Sequence, residues 1–115
     1  MIMYYKLDGH EVVPCADVLE WGRWFECHDR RVAHTEVGNV RISTVFIGIG
    51  NLFMEEGLVF ETIVFGGPLD SEQDKYATWN EALEGHAQMV RKVRDSRRIR
   101  ARLHRLVDKI KSLAG

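Results

Sequence analysis

The sequence has no apolar stretch long enough to cross a membrane and no leader-like start. Its most apolar window, residues 45–54, is short and interrupted by glycine, whereas a membrane helix needs about 20 apolar residues. Residues 1–8 lack the basic start and apolar run of a secretory signal. These absences predict a soluble cytoplasmic protein that has no membrane partner.

Cysteine is scarce, with Cys15 and Cys27 as its two occurrences. They flank a predicted helix of about eleven residues, which would hold their Cα atoms roughly 15 Å or more apart, too far for a disulfide. Cys27, His28 and His34 offer three potential metal ligands, but adjacent residues rarely face one ion and no second ligand pair follows. We therefore expect no disulfide, no bound metal and no cofactor.

Signatures of catalysis are also lacking. Gly48-Ile49-Gly50 has no third glycine, and Gly66-Gly67 is not followed directly by a helix, so neither is a nucleotide-binding fingerprint. No local pattern of an activated nucleophile occurs. We expect a non-enzymatic protein with no catalytic residues. The alternative left open is a small enzyme or nucleotide-binding protein with a site around His28, Asp29 and the glycine loops.

Five runs rich in alternating apolar residues predict β-strands. The runs are residues 3–7, 10–13, 32–37, 40–49 and 58–65. Asp8-Gly9 and Gly38-Asn39 stand between neighbouring runs, where such pairs form hairpin turns. Leu52, Phe53 and Met54 fall in a predicted loop, and both faces of the last strand are expected to be largely buried.

The predicted element order is β-β-α-β-β-β-α. This order is typical of an α+β fold, with an antiparallel sheet of about five strands, one short helix, and one long C-terminal helix. Asp17 and Glu20 form a capping pattern for the short helix, whose two tryptophans would anchor it on the sheet. Arg41 and Glu61 are expected to pair across neighbouring strands.

The last third of the chain predicts one long helix, and the alternative is a break near Asp95-Ser96 with the last turns folded back. Thr78 and Glu81 form a capping box, and residues 86–114 contain neither glycine nor proline. A core-facing stripe recurs at helical spacing: Ala82, Leu83, His86, Met89, Val90 and Val93. We predict a single α+β domain over residues 1–94, which includes the first half of this helix, and a basic amphipathic extension over residues 95–115.

The extension carries a second apolar pattern, with spacings of four, three, four and three residues. Its members are Ile99, Leu103, Leu106, Ile110 and Leu113. This is the spacing of a coiled-coil seam, and the position before it in the same register is occupied by Ser96. The pattern predicts an oligomer interface.

Charge is divided unevenly along the chain. Residues 1–87 hold 15 acidic and 6 basic side chains, whereas residues 88–115 hold 2 acidic and 10 basic ones. The candidates for contact with nucleic acid or an acidic partner are Arg91, Arg94, Arg97, Arg98, Arg100, Arg102 and Arg105. Arginine suits bidentate contact with phosphate or carboxylate. Association with a partner, nucleic-acid binding and a solvated terminal helix all remain open.

Several stretches resemble a group of small bacteriophage and prophage proteins. They are YYKLDG at 4–9, WGRWFE at 21–26, TEVG at 35–38, VRISTVF at 40–46, FET at 60–62, VFGGPL at 64–69, YATW at 76–79 and GH at 85–86. The resemblance covers roughly residues 3–94. It implies a phage origin, hence the host-cell cytoplasm, and a single domain, and it implies no catalytic residue.

The leading hypothesis is therefore a non-enzymatic phage accessory protein that acts by macromolecular binding. Its partner would be itself, as a homo-oligomer joined by the C-terminal helix, or a host protein. Inhibition of a host defence or regulatory protein fits the acidic body of the protein, residues 1–87, because an acidic surface can occupy a nucleic-acid-binding groove. The alternative is nucleic-acid binding by the arginine-rich helix.

Overall fold

The protein has an α+β fold, seen in a computed structural model that describes residues 2–51 and 57–114. The elements are β1 (Ile2–Asp8), β2 (Glu11–Pro14), α1 (Val18–Cys27), β3 (Arg31–Val37), β4 (Val40–Phe46), β5 (Ile49–Asn51), β6 (Phe60–Phe65), β7 (Gln73–Tyr76) and α2 (Trp79–Ala114). The predicted fold class is confirmed. The described strands number seven in place of about five. The loop residues Leu52, Phe53 and Met54 lie outside the described residues.

The strands form two antiparallel sheets. The larger has the order β3-β4-β6-β7, and the smaller has the order β2-β1-β5. The run predicted as one strand over residues 40–49 divides near Gly48, whose φ of 67° is open mainly to glycine. Beyond this point the chain leaves β4 and pairs with β1 as β5. The additional strand β7 comes from a stretch too polar to show alternation.

Local side-chain caps start both helices. The Asp17 carboxylate accepts hydrogen bonds from the amides of Leu19, at 2.9 Å, and Glu20. The Thr78 hydroxyl accepts from the amide of Glu81 at 3.1 Å, as predicted. Both caps are contacts within three residues, which is why the sequence locates the helix starts.

Hairpin turns join the neighbouring strands. The turn at Gly38-Asn39 is the predicted one, because Val37 pairs with Val40. The first hairpin turns at Gly9-His10, one residue later than predicted, since Asp8 already pairs with Glu11.

The first half of α2 covers one face of the larger sheet. One core cluster joins the strands to the helix through Val40, Ile42, Val64, Met89, Val90 and Val93. A second cluster consists of Phe46, Val59, Phe60, Tyr76 and Ala82, with Trp24 of α1 packed against it. The ring of Tyr76 lies so close to Gly85 that a Cβ there would overlap it.

The other face of the larger sheet is partly open to solvent. Phe65 is 41% exposed, so the prediction that both faces of β6 are largely buried is wrong. The predicted Arg41–Glu61 pair is also wrong, because register places Arg41 opposite Phe65 and Glu61 opposite Val45. The Arg41 guanidinium instead lies over the Phe65 ring, 4.6 Å from its centroid.

Candidate association surface on the C-terminal helix

Helix α2 continues far beyond the sheet that it covers. Val93 is the last buried residue, Ser96 is half-buried, and residues 97–114 are all exposed. The helix has 36 residues without a break, which confirms the predicted continuity, and the molecule is 69 Å long but only 28 Å and 21 Å across. The exposed segment, residues 97–114 of the predicted extension, spans about 27 Å at 1.5 Å per residue.

The extension displays an unpartnered apolar stripe. Its members are the five residues predicted from spacing, Ile99, Leu103, Leu106, Ile110 and Leu113, with exposed fractions from 53% to 80%. At about 100° per residue, the stripe lies about a third of a turn from the core-facing residues of α2. It is thus a separate surface and does not continue the buried stripe that ends at Val93.

The seven candidate arginines do not share one face of α2. They are all exposed. Their positions span more than half of the helix circumference, and none of them lies within the apolar stripe. Arg98 lies 3.5 Å from Asp95. Arg97 and Arg100 lie together on the body-facing side, at the point where the helix leaves the sheet. Sequence order alone gave no sign of this grouping.

His86 forms a buried hydrogen-bond network between α2 and the larger sheet. Its Nε2 lies 2.8 Å from the Thr35 hydroxyl, and its Nδ1 lies 2.7 Å from the Thr44 hydroxyl, which is 2.5 Å from that of Thr62. The sequence predicts a buried His86 beside Trp79 or Tyr76. Its hydrogen-bond partners are instead Thr35 of β3 and Thr44 of β4, and Thr44 extends the network to Thr62 of β6, so the network fixes the position of α2 along the sheet.

Acidification is expected to destabilise the fold through His86. Burial lowers the pKa of His86 below its ordinary value of 6.5, and His34 acts in the same direction. The unfolded chain therefore binds a proton more readily, and stability falls as the pH drops through about 6.5. In urea unfolding, the wild type should lose more stability between about pH 7.5 and pH 5.5 than His86→Gln does.

The exposed His104 supplies the control for this measurement. His104→Gln should retain the pH dependence of the wild type, because His104 is exposed and lies outside the buried His86 network. Equal losses for the wild type and for His86→Gln would contradict the assignment.

The residues proposed for an enzymatic site do not converge. His28 Nδ1 is hydrogen-bonded to the carbonyl oxygen of Trp24 at 2.8 Å, whereas Asp29 accepts from the amide of Arg31 at 3.0 Å. Cys15 is buried and Cys27 is exposed, both as free thiols. Across residues 2–51 and 57–114, no group of three or more His, Cys, Asp or Glu side chains could hold a metal ion.

The extension is therefore the surface that the fold leaves without an internal role. None of the helices in the described part of the chain combines the length and the apolar character of a membrane span. In comparisons with known protein families, curated proteins and solved structures, this chain matches none.

Proposed function

We propose that this protein acts by macromolecular association and that its partner at the extension is a second copy of the same chain. The observation that carries the proposal is the apolar stripe, whose five large side chains are all more than half exposed. A coiled-coil seam of this spacing buries such a stripe against an identical helix.

The extension also needs tertiary support to remain helical. In proteins most helical stability comes from packing of an amphipathic face, and residues 97–114 have no buried side chain. Burial of the stripe in a dimer supplies the missing packing. The helical state and the association therefore stabilise each other.

Charge favours an antiparallel arrangement of the two helices. Residues 1–96 carry 16 acidic and 9 basic side chains, a net charge of −7, while residues 97–115 carry 1 acidic and 7 basic ones, a net charge of +6. In an antiparallel pair, the basic end of each helix lies beside the acidic body of the other chain. The two helix dipoles are also opposed, which is favourable.

The antiparallel register gives the tip of each helix a place to pack. Counting along the seam, Leu103 meets the partner's Leu106, and Ser96 meets the partner's Leu113. Pro68, Ser96, Ile99, Arg100 and Leu103 line a largely apolar notch at the base of the extension. Leu113, 80% exposed in the single chain, is then buried in the partner's notch above the small Ser96 side chain.

Cysteine cross-linking tests both the association and its direction. In a Cys27→Ser background, which removes the exposed native thiol, the double variant Ser96→Cys/Leu113→Cys should form a covalent dimer on mild oxidation. Ser96→Cys alone should remain monomeric on a non-reducing gel, because Ser96 faces a leucine.

The single variant Ser96→Cys decides between the parallel and the antiparallel orientation of the two helices. A covalent dimer from Ser96→Cys alone would show the parallel register and refute the antiparallel one. Absence of any cross-link, together with a solution mass equal to the 13.3 kDa of one chain, would refute self-association.

A further inference from the structure

The body-facing side of α2 changes from apolar to basic where the sheet ends. Val93 is the last core residue on this side, and Arg97, Arg100 and His104 follow it four, seven and eleven positions later. This spacing keeps all three on the same side of the helix. At the same level, the larger sheet ends in the turn Gly38-Asn39 and the loop that begins at Gly66.

These segments enclose a polar recess, here called the collar pocket. It is lined by Asn39, Val40, Gly67, Pro68, Arg97, Arg100, Ala101 and His104, and it holds about 340 Å³. No acidic side chain of the described residues lines it. The pocket therefore presents two guanidinium groups and an imidazole without a counter-charge.

Glycines hold the turns close to the arginine side chains. The Arg97 guanidinium lies against Gly38 so closely that a Cβ there would overlap it, and Gly38 has a φ of 61°. Gly67, with a φ of 72°, packs against the Val40 side chain. Neither position tolerates a side chain easily. The absence of a Cβ at Gly38 leaves the space that the Arg97 guanidinium occupies beside the pocket.

The carboxylates on the adjoining loop and helix have other partners. Asp70 accepts a hydrogen bond from the amide of Gly66 at 2.6 Å, Glu72 pairs with Lys92, and Asp95 pairs with Arg98. Among the described residues, Arg97 and Arg100 form no ion pair. Arg97 and Arg100 thus bring unpaired positive charge to the pocket, on a body whose net charge is negative.

We propose that the collar pocket binds a phosphate group. A phosphate monoester carries a charge of about −1.5 to −2 and three acceptor oxygens, which suit two guanidinium forks and the third donor, His104. A carboxylate offers one charge and two oxygens, so it leaves part of this donor set unused. The phosphate comes from a small phosphate monoester, which matches this donor set, or from a nucleic-acid backbone, in which each diester offers one charge and two free oxygens and two neighbouring phosphates share the donors.

The pocket adjoins the proposed dimer interface, and the two can be tested separately. Pro68 and Arg100 line both the pocket and the notch, whereas Arg97 and His104 line the pocket alone, more than a third of a turn from the centre of the apolar stripe. Leu103 and Leu106 do not line the pocket, so a Leu103→Glu/Leu106→Glu monomer keeps the pocket's lining and distinguishes failure of one proposal from failure of the other.

Titration of the full chain with inorganic pyrophosphate at low salt tests the pocket. Saturable binding is expected, with affinity at least about tenfold weaker in Arg97→Gln/Arg100→Gln. Arg98→Gln/Arg105→Gln is the matched control, because it removes the same charge from a side of the same helix that does not line the pocket. The control should remain within about twofold of the wild type, as expected for exposed charges outside a site.

Three results would overturn the proposal. They are the absence of saturable pyrophosphate binding, an equal loss of affinity in both double variants, and tighter binding of citrate than of pyrophosphate. Equal losses in particular would mean that pyrophosphate binds through the overall positive charge of the helix and not at the pocket.

A second arm of the titration identifies the source of the phosphate. A twelve-nucleotide oligothymidylate that binds much more tightly than pyrophosphate, and loses affinity steeply with salt, indicates a nucleic-acid backbone. Comparable affinities of the two probes indicate a small phosphate ester. In either case the Arg97→Gln/Arg100→Gln variant must lose the binding, and retention would refute the pocket.

Discussion

Replacing Leu103 and Leu106 with glutamate is expected to convert the proposed dimer to a monomer. These residues form the central layers of the seam and are 55% and 53% exposed in the single chain. Each dimer would contain four carboxylates in a position that excludes water, and burial of unpaired charge costs several kcal/mol. The dissociation constant should rise by about 100-fold or more, and light scattering should give the 13.3 kDa mass of one chain.

The matched control places the same two charges on the same helix outside the stripe. Ala87 and Ser112 are both exposed, and both lie on the side of α2 away from the stripe. Ala87→Glu/Ser112→Glu should therefore leave the dimer mass unchanged. An oligomer that survives Leu103→Glu/Leu106→Glu, or one that is lost equally in the control, would argue against the stripe as the interface.

Phe46→Ala should cause the largest loss of stability among single substitutions in the larger sheet. The Phe46 side chain is fully buried. Its ring packs edge-on against Trp24, with 5.7 Å between centroids, and in a tilted arrangement against Phe60, with 5.1 Å between centroids. Its truncation removes apolar burial and leaves a cavity, at a typical cost of about 3–5 kcal/mol. Urea unfolding monitored by circular dichroism would measure the loss.

Phe65→Ala is the corresponding control on the opposite face of the same sheet. Phe65 is 41% exposed and contacts the Arg41 guanidinium, so its truncation should cost about 1 kcal/mol. A cost equal to that of Phe46→Ala would mean that the open face of the sheet is covered in solution.

Features determined by nearby residues were accessible from the sequence. The caps at Asp17 and Thr78 act within three residues, and the apolar spacing of α2 reports a single helical period. These signals predicted the α+β class and both helices. The division of the strands into two sheets depends on the pairing of β5 with β1, across more than 40 residues, so no local pattern reported it.

The same distinction applies to the candidate site. Spacing alone predicted the apolar stripe, but its exposure depends on where the sheet ends beneath α2. The collar pocket brings Arg97 together with Asn39 and Gly67, which are distant in sequence, so the arginines were predicted as one undivided set. The polar Thr44 and Thr62 on otherwise apolar strand faces were the available signal for the His86 network.

The unbroken course of α2 has a further consequence for a dimer. A helix that runs continuously from Trp79 to Ala114 acts as a rigid spacer, because the chain between body and seam contains no hinge. Two antiparallel copies would hold two identical bodies at a fixed separation, set mainly by the extension of about 27 Å. Such a molecule is bivalent. It would bind more tightly to a target whose binding sites repeat at that separation, because both bodies can make contact at once.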